Sequence, residues 1–292
     1  MSRTAKKKRK ILFFELNLPP MPEIYILPNG MKAIRCHVPS SHIVHCALMI
    51  KCGGRDEPAG KSGIAHFIEH TFFKGTRKRS SRQIINYLEE KGGELNAYTT
   101  KEETCIHASV MKKELPKAAD IISDILLNAT FPADELEKEK QVVIDEIHAY
   151  EDTPYEQIYD DFEGILFHQH PMGNPILGKE EHIRSFSRKD IVSFMKSKYR
   201  PENMIWIVSG DVTEKEVKDT AQLFSRFKQD AKLQRKKPLT QKLKYSVKKK
   251  PVSQYHFIMG SKAYAFSDKH RFAMALLNNI LGGPGMNSRL NL

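Results

Sequence analysis

The sequence lacks a long hydrophobic segment and has few cysteines. No apolar run approaches the roughly 20 residues that a transmembrane helix needs, so we expect no membrane span. The four cysteines form no CxxC pair, and in a chain of 292 residues they do not suit a disulfide framework. A hydrophobic content of 40% and a charged content of 28% instead predict a globular chain of about two domains.

Acidic residues are absent from two strongly basic segments. Residues 1–10 hold six Lys or Arg, and residues 231–250 hold nine. These fifteen charges exceed the net charge of +12, so the rest of the chain sums to −3. The pattern predicts a disordered basic tail over residues 1–20 and a solvated basic linker. Because no aromatic residues interleave with the tail lysines and no nucleic-acid motif accompanies them, we do not expect nucleic acid as a partner.

The N-terminal segment also lacks the features of a targeting signal. Its apolar stretch after residue 10 is short, is interrupted by Glu15 and ends in two prolines, with no small-residue cleavage site. We therefore expect a cytoplasmic protein.

The order of the predicted elements indicates an α+β fold. Strand and helix patterns over residues 21–215 predict one domain with a mixed or antiparallel sheet and helices packed on it. A helix and the basic linker are expected over residues 216–250. Residues 254–263 then predict a strand and residues 269–283 a helix, in an order that resembles the opening of the first domain. We expect residues 251–292 to be the incomplete start of a second, similar domain.

The stretch GIAHFIEHTFFKGT, residues 63–76, predicts a helix that carries His66, Glu69 and His70. At about 100° per residue, the two histidines lie about 40° apart on one face, with Glu69 beside them. Two imidazoles spaced in this way can share one Zn²⁺, and the adjacent carboxylate can take a proton from water. The alternative is a pair of half-buried histidines whose hydrogen bonds are satisfied by neighbouring side chains.

A catalytic zinc site needs a third protein ligand. The predicted acidic helix over residues 134–151 places Glu139 and Glu146 two turns apart, on a stripe with Val142 and Val143. Carboxylates on an apolar stripe are costly unless they are paired or bind a metal. Spacing leaves open which carboxylate is the ligand, which one orients a histidine, and whether this helix meets the first.

Five segments follow one another along the chain: GIAHFIEHTFFKGT, GGELNAYTTKEET, EKEKQVVIDEI, YRPENMIWIVSGDV and NNILGGPGMNSRL. In this order and spacing, from about Ile24 to the C-terminus, they resemble the insulinase/pitrilysin/mitochondrial processing peptidase family of HxxEH zinc metallopeptidases, the inverzincins. The resemblance implies the fold of a mitochondrial processing peptidase-like metallohydrolase domain. It also implies a zinc-dependent metalloendopeptidase that acts on unfolded peptides or small proteins.

The resemblance assigns a role to each residue of the metal constellation. It implies one Zn²⁺ per chain, with His66, His70 and Glu146 as ligands. Glu69 would be the general base, and Glu139 would orient one of the ligand histidines.

The resemblance also implies where the substrate lies. The LNAYT segment would be an edge strand along which an extended peptide adds by main-chain hydrogen bonds. Asn96 and Ala97 would then lie near the scissile bond.

The chain departs from the family pattern at its C-terminus. Family members continue past SRL into an Arg- and Tyr-bearing segment that helps bind substrate, whereas this chain ends in MNSRLNL. We therefore expect a truncated second domain and low peptidase activity. Because family members pair two halves around a chamber, a second family subunit or a homodimer is an expected partner. The alternatives are a non-catalytic binding or assembly subunit and, from another class, a binder of anionic surfaces or nucleic acid through the basic tail and linker.

Overall fold

The computed structural model describes residues 21–227, 235–238 and 244–290. The predicted tail over residues 1–20 and part of the predicted linker lie outside these residues. The strands are β1 (Glu23–Ile26), β2 (Lys32–His37), β3 (Ile43–Ile50), β4 (Glu94–Thr99), β5 (Thr104–Met111) and β6 (Met204–Gly210). The helices are α1 (Ile64–Thr71), α2 (Ser81–Glu89), α3 (Leu115–Leu127), α4 (Ala133–Glu151), α5 (Pro154–Leu166), α6 (Glu180–Ser185), α7 (Arg188–Lys198), α8 (Glu214–Ala221) and α9 (Arg271–Gly282).

The strands form one mixed sheet in the order β1-β2-β6-β3-β5-β4. The pairing of β2 with β6 is parallel, and the other four pairings are antiparallel. Strand β4 lies at an edge of the sheet, as the family resemblance implied for LNAYT. The α+β fold with a mixed sheet is therefore confirmed.

Helices cover one face of the sheet because its strands alternate between apolar and more exposed residues. On β3, Val44 and Leu48 are buried, whereas the intervening His45 is exposed. Helix α3 packs on β3 and β5, and α8 packs on β2. Trp206 of β6 is fully buried in this core, where its Nε1–H donates to the Thr220 hydroxyl of α8 at 3.1 Å. The buried ring thus has a partner for its one polar group.

Local signals set the helix ends. Ser80, Ser187 and Thr213 each form a capping box at the start of α2, α7 and α8. After α2, Gly92 adopts a left-handed φ of +70°, which reverses the chain toward β4.

Helix α8 lies in a different unit from the one that the sequence predicted. It was grouped with the basic linker, yet Val217, Ala221 and the following Phe224 are buried in the core of the first unit. Burying these apolar side chains removes them from water, which places this helix with the sheet. The linker therefore begins after Phe224.

The second half of the chain differs from the sequence prediction at one element. The predicted helix is confirmed as α9, but the predicted strand over residues 254–263 is wrong, because residues 244–270 contain no strand. A strand needs a neighbour for its backbone hydrogen bonds, and in the described part of the chain this segment pairs with none.

None of the helices in the described ranges combines the length and the apolar composition that a membrane span requires.

Candidate metal centre

Helix α1 begins at a glycine that the fold requires. Gly63 has a φ of +91°, and a Cβ at this position would lie 2.6 Å from the Leu177 carbonyl oxygen. The first N–H groups of the helix are satisfied from outside it, since the buried Glu57 carboxylate accepts from Gly63 N at 2.9 Å and from Ala65 N at 3.0 Å. Burial raises the pKa of Glu57 to about 8, although both N–H donors act to lower it. The sequence carried no signal for this contact.

Helix α1 packs against α4, and this packing brings two histidines and one glutamate together. The Glu146 Oε2 lies 3.4 Å from His70 Nε2 and 3.8 Å from His66 Nε2. Ligand atoms of all three residues lie within 4.8 Å of one another. Within the described ranges, no other three His, Cys, Asp or Glu residues form such a group.

These separations fit a zinc ion. Donors at about 2.0–2.2 Å from a tetrahedral Zn²⁺ are separated by about 3.4 Å from one another. The two distances to Glu146 are of this size, and the donor set of two imidazoles and one carboxylate is one that zinc accepts. The residues present therefore fit the metal that the sequence predicted.

Burial and charge hold His66 and Glu146 in the protonation states that bind a metal, whereas for His70 a metal would have to compete with a proton. Burial, together with the neighbouring His70, lowers the pKa of His66 to about 4, so that His66 is neutral near pH 7. For His70, burial acts to lower the pKa, but the Glu146 and Glu139 carboxylates outweigh it and raise the pKa. The hydrogen bond from His70 lowers the pKa of Glu146, which keeps this carboxylate charged. A neutral imidazole and a carboxylate are the forms that bind a metal.

The structure distinguishes the two carboxylates that the spacing left open. Glu139 is buried, and its Oε2 lies 3.3 Å from His70 Nδ1, the ring nitrogen opposite the one that faces Glu146. An ionised carboxylate can only accept, so this contact assigns the proton to Nδ1 and leaves Nε2 as the donor atom to a metal. The apolar stripe is only partly buried, because Val143 is buried whereas Val142 is 48% exposed.

Lys74 is a residue near the site that sequence reasoning missed. Its Nζ lies 2.5 Å from the other oxygen of Glu139, Oε1. Lys74 lies three residues after α1 ends at Thr71, so its contact with Glu139 had no signal in the local sequence.

Glu69 lies on α1 between the two histidine positions and is half-buried. Its Oε2 is buried without a hydrogen-bond partner among the described residues. Burial raises the pKa of Glu69, while the Thr99 hydroxyl and His70 act to lower it. A carboxylate with a raised pKa and an unpaired oxygen can accept and return a proton.

Strand β4 lies beside α1 at the end of the sheet, and among the described residues no strand pairs with its outer edge, called here the free edge. Along an antiparallel strand, residues whose main-chain groups bond to the partner strand alternate with residues whose groups point away from it. Thr100 N donates to Glu103 O at 2.8 Å, so Thr100 is of the first kind. Counting back in steps of two, the main-chain groups of Leu95 and Ala97 therefore face away from β5. The Ala97 N–H at this edge donates to Asn96 Oδ1 at 2.8 Å. Asn96 and Ala97 thus lie together at the free edge, and their contact with a substrate stays a prediction.

Comparison with known proteins agrees with this fold and site. Residues 33–180 match the model of the insulinase family (peptidase family M16), and residues 185–292 match the model described as the peptidase M16 inactive domain. The chain therefore belongs to the insulinase family of peptidases, M16.

Bacterial relatives support this assignment. The chain is 34% identical over 269 residues to an uncharacterized zinc protease of Bacillus subtilis, covering 91% of this chain and 65% of that protein. It is 33% identical over 270 residues to an uncharacterized zinc protease of Mycobacterium leprae, covering 90% of this chain and 60% of the relative. The chain thus spans 60% to 65% of the length of these two relatives.

Solved structures show the same fold. A protease from Helicobacter pylori superimposes with a TM-score of 0.78 at 24% identity, covering 93% of this chain and 67% of that one. A peptidase M16 inactive domain from Pseudomonas fluorescens superimposes with a TM-score of 0.80 at 16% identity, and this match also covers 93% of this chain and 67% of that one.

Proposed function

We propose that this chain is a zinc-dependent metalloendopeptidase that uses Glu69 as its general base. The observation that carries the proposal is the position of Glu146 Oε2, 3.4 Å and 3.8 Å from the Nε2 atoms of His70 and His66. These three side chains would hold one Zn²⁺ per chain. The bacterial relatives are named as zinc proteases, which supports the choice of metal.

The roles follow from chemistry at the site. A bound Zn²⁺ supplies Lewis acidity, which lowers the pKa of water toward 7 and polarises a peptide carbonyl. The Glu69 carboxylate takes the proton of the attacking water and later delivers it to the leaving amine. Glu139 holds His70 with Nε2 toward the metal.

The substrate class follows from the edge strand. An extended, unfolded peptide adds to β4 through the outward main-chain groups of Leu95 and Ala97, with Asn96 beside them. Main-chain recognition depends little on side chains, which suits unfolded peptides and small proteins as substrates. We also propose a second family subunit or a second copy of this chain as a partner. Sedimentation of the purified chain would detect the second copy.

Metal binding is tested first. The chain is purified without chelators, and its metal content is measured by elemental analysis beside His70→Ala and Glu146→Gln. We expect about one zinc per parent chain, with loss or strong weakening in both variants. Glu137→Gln, which changes a carboxylate of α4 that is 71% exposed and paired with Lys140, is the matched control and should keep the metal. A folded parent chain without zinc, even after zinc is supplied, would contradict the proposal.

Catalysis is tested separately. Hydrolysis of fluorogenic peptides blocked at both ends reports cleavage of internal bonds. We expect slow hydrolysis by the parent chain and a further loss of about 10²-fold or more in Glu69→Gln, which keeps its zinc. Equal rates for parent and variant would refute the role of Glu69. Zinc and peptide binding without any hydrolysis would favour the binding or assembly subunit instead.

A further inference from the structure

The buried carboxylate of Glu139 has a different partner at each oxygen. His70 Nδ1 lies 3.3 Å from Oε2, and Lys74 Nζ lies 2.5 Å from Oε1. His70 lies in the last turn of α1, and Lys74 lies three residues after the helix ends at Thr71, where the chain brings its ammonium group to the other oxygen of Glu139. The three residues form a chain of contacts from an ammonium group, through a carboxylate, to an imidazole.

The backbone around Lys74 is fixed by the fold. The next residue, Gly75, has a φ of +125°, and its carbonyl accepts from Thr130 N at 3.1 Å. Thr76 forms an isolated β-bridge with Ala129, just before α4 begins. These contacts join the segment after α1 to the segment before α4. They place the Lys74 side chain, which is 27% exposed, over the second turn of α4.

We propose that Lys74 is a positioning residue of the metal centre, whose ammonium group holds the Glu139 carboxylate where it accepts the His70 Nδ1–H. The inference rests on the proposed function, because the metal is the one proposed there. A buried carboxylate is costly without an opposite charge beside it. Without Lys74, Glu139 would turn toward water or another donor, and the His70 ring would lose the contact that aims Nε2 at Glu146.

A purely structural role predicts a different outcome. If Lys74 only joined the two segments, its removal would lower the melting temperature and leave the metal affinity of the folded protein unchanged. If Lys74 positions Glu139, the metal affinity falls in the protein that remains folded. The effect then depends on the Glu139 charge, because there is nothing for Lys74 to balance once that charge is removed.

The experiment compares zinc affinity, by competition with a chelator, in the parent, Lys74→Met and Lys74→Arg. We expect zinc binding to weaken by about 10–100-fold in Lys74→Met, the size that loss of a partner of a ligand histidine typically has. Lys74→Arg, which keeps the charge, should stay within about threefold of the parent. Lys78→Met is the matched control, because Lys78 is 55% exposed and lies 4.0 Å from Asp124, outside the metal centre.

A double-mutant cycle tests the mechanism. In the Glu139→Gln background, Lys74→Met should change zinc affinity by less than about threefold, since the two residues act as a unit. The visible spectrum of the Co²⁺-loaded protein should differ between the parent and Lys74→Met, and match between the parent and Lys78→Met. Equal zinc affinities and Co²⁺ spectra for the parent and Lys74→Met would overturn the proposal, as would an undiminished effect in the Glu139→Gln background.

The apoprotein separates failure of this proposal from failure of the proposed function. In the metal-free parent, proton NMR should show a protected Nδ1–H of His70, which Lys74→Met should lose and Lys74→Arg should keep. This result would support the role of Lys74 in holding Glu139 even if the parent bound no zinc. An unchanged signal in Lys74→Met would overturn it.

Discussion

Two opposing effects act on the pKa of Glu57, whose carboxylate accepts hydrogen bonds from the start of the helix that carries the histidines. Burial disfavours the charged carboxylate, whereas the N–H groups of Gly63 and Ala65, at the N-terminus of α1, favour it. Burial is the larger effect and raises the pKa of Glu57 from its ordinary value of 4.5 to about 8. The stability of the first unit should therefore depend on pH through this one side chain.

The sign and size of the dependence follow from the two pKa values. Below pH 4.5, Glu57 is protonated in both the folded and the unfolded chain. Between pH 4.5 and 8, the folded chain keeps a proton that the unfolded chain releases, so the free energy of unfolding falls as the pH rises. Above pH 8 the fall ends. The pKa difference corresponds to at most about 5 kcal/mol, an upper limit because the protein relaxes around a buried charge.

Urea unfolding followed by circular dichroism, from pH 4.5 to 9 with a chelator present, measures this dependence. Glu57→Gln is neutral at every pH, so the difference between parent and variant isolates the titration of Glu57. We expect the parent to lose several kcal/mol relative to Glu57→Gln between pH 5 and 8, and Glu137→Gln to follow the parent. Parallel curves for the parent and Glu57→Gln would refute the reasoning and show that the helix N-terminus keeps Glu57 charged.

Three further predictions test the core, the start of α1 and the edge strand. Trp206→Ala should lower the free energy of unfolding by about 3–5 kcal/mol, because the ring is fully buried and hydrogen-bonded to Thr220. Urea unfolding measures this loss, and a value below about 1 kcal/mol would contradict the prediction. Gly63→Ala should destabilise the protein by about 2 kcal/mol or more, because its φ is +91° and the Cβ would meet Leu177; an unchanged melting temperature would exclude this. Ala97→Pro should nearly preserve the melting temperature, because the lost N–H faces the free edge, yet weaken binding of an extended peptide in fluorescence anisotropy. Equal peptide binding would argue against β4 as the substrate strand.

Much of the fold was predictable because its signals are local. The alternation of apolar residues in β3 and β5 predicts strands, and the capping residues before α2, α7 and α8 predict where those helices begin. Residues 254–263 show the limit of such signals. Their pattern favours a strand, but a strand forms only where another strand offers its edge, and that depends on residues distant in the chain.

The sequence by itself determined that His66, Glu69 and His70 share one side of a helix, because the helical repeat fixes the angle between residues a few positions apart. Only the tertiary structure decided which distant carboxylate meets them. Glu139 and Glu146 are equivalent by spacing, and the packing of α4 on α1 sets one against His70 Nδ1 and the other between the two Nε2 atoms. The contact of Lys74 with Glu139 is of the same kind, because it joins two segments that are distant in the chain and that only the packing of the fold brings together.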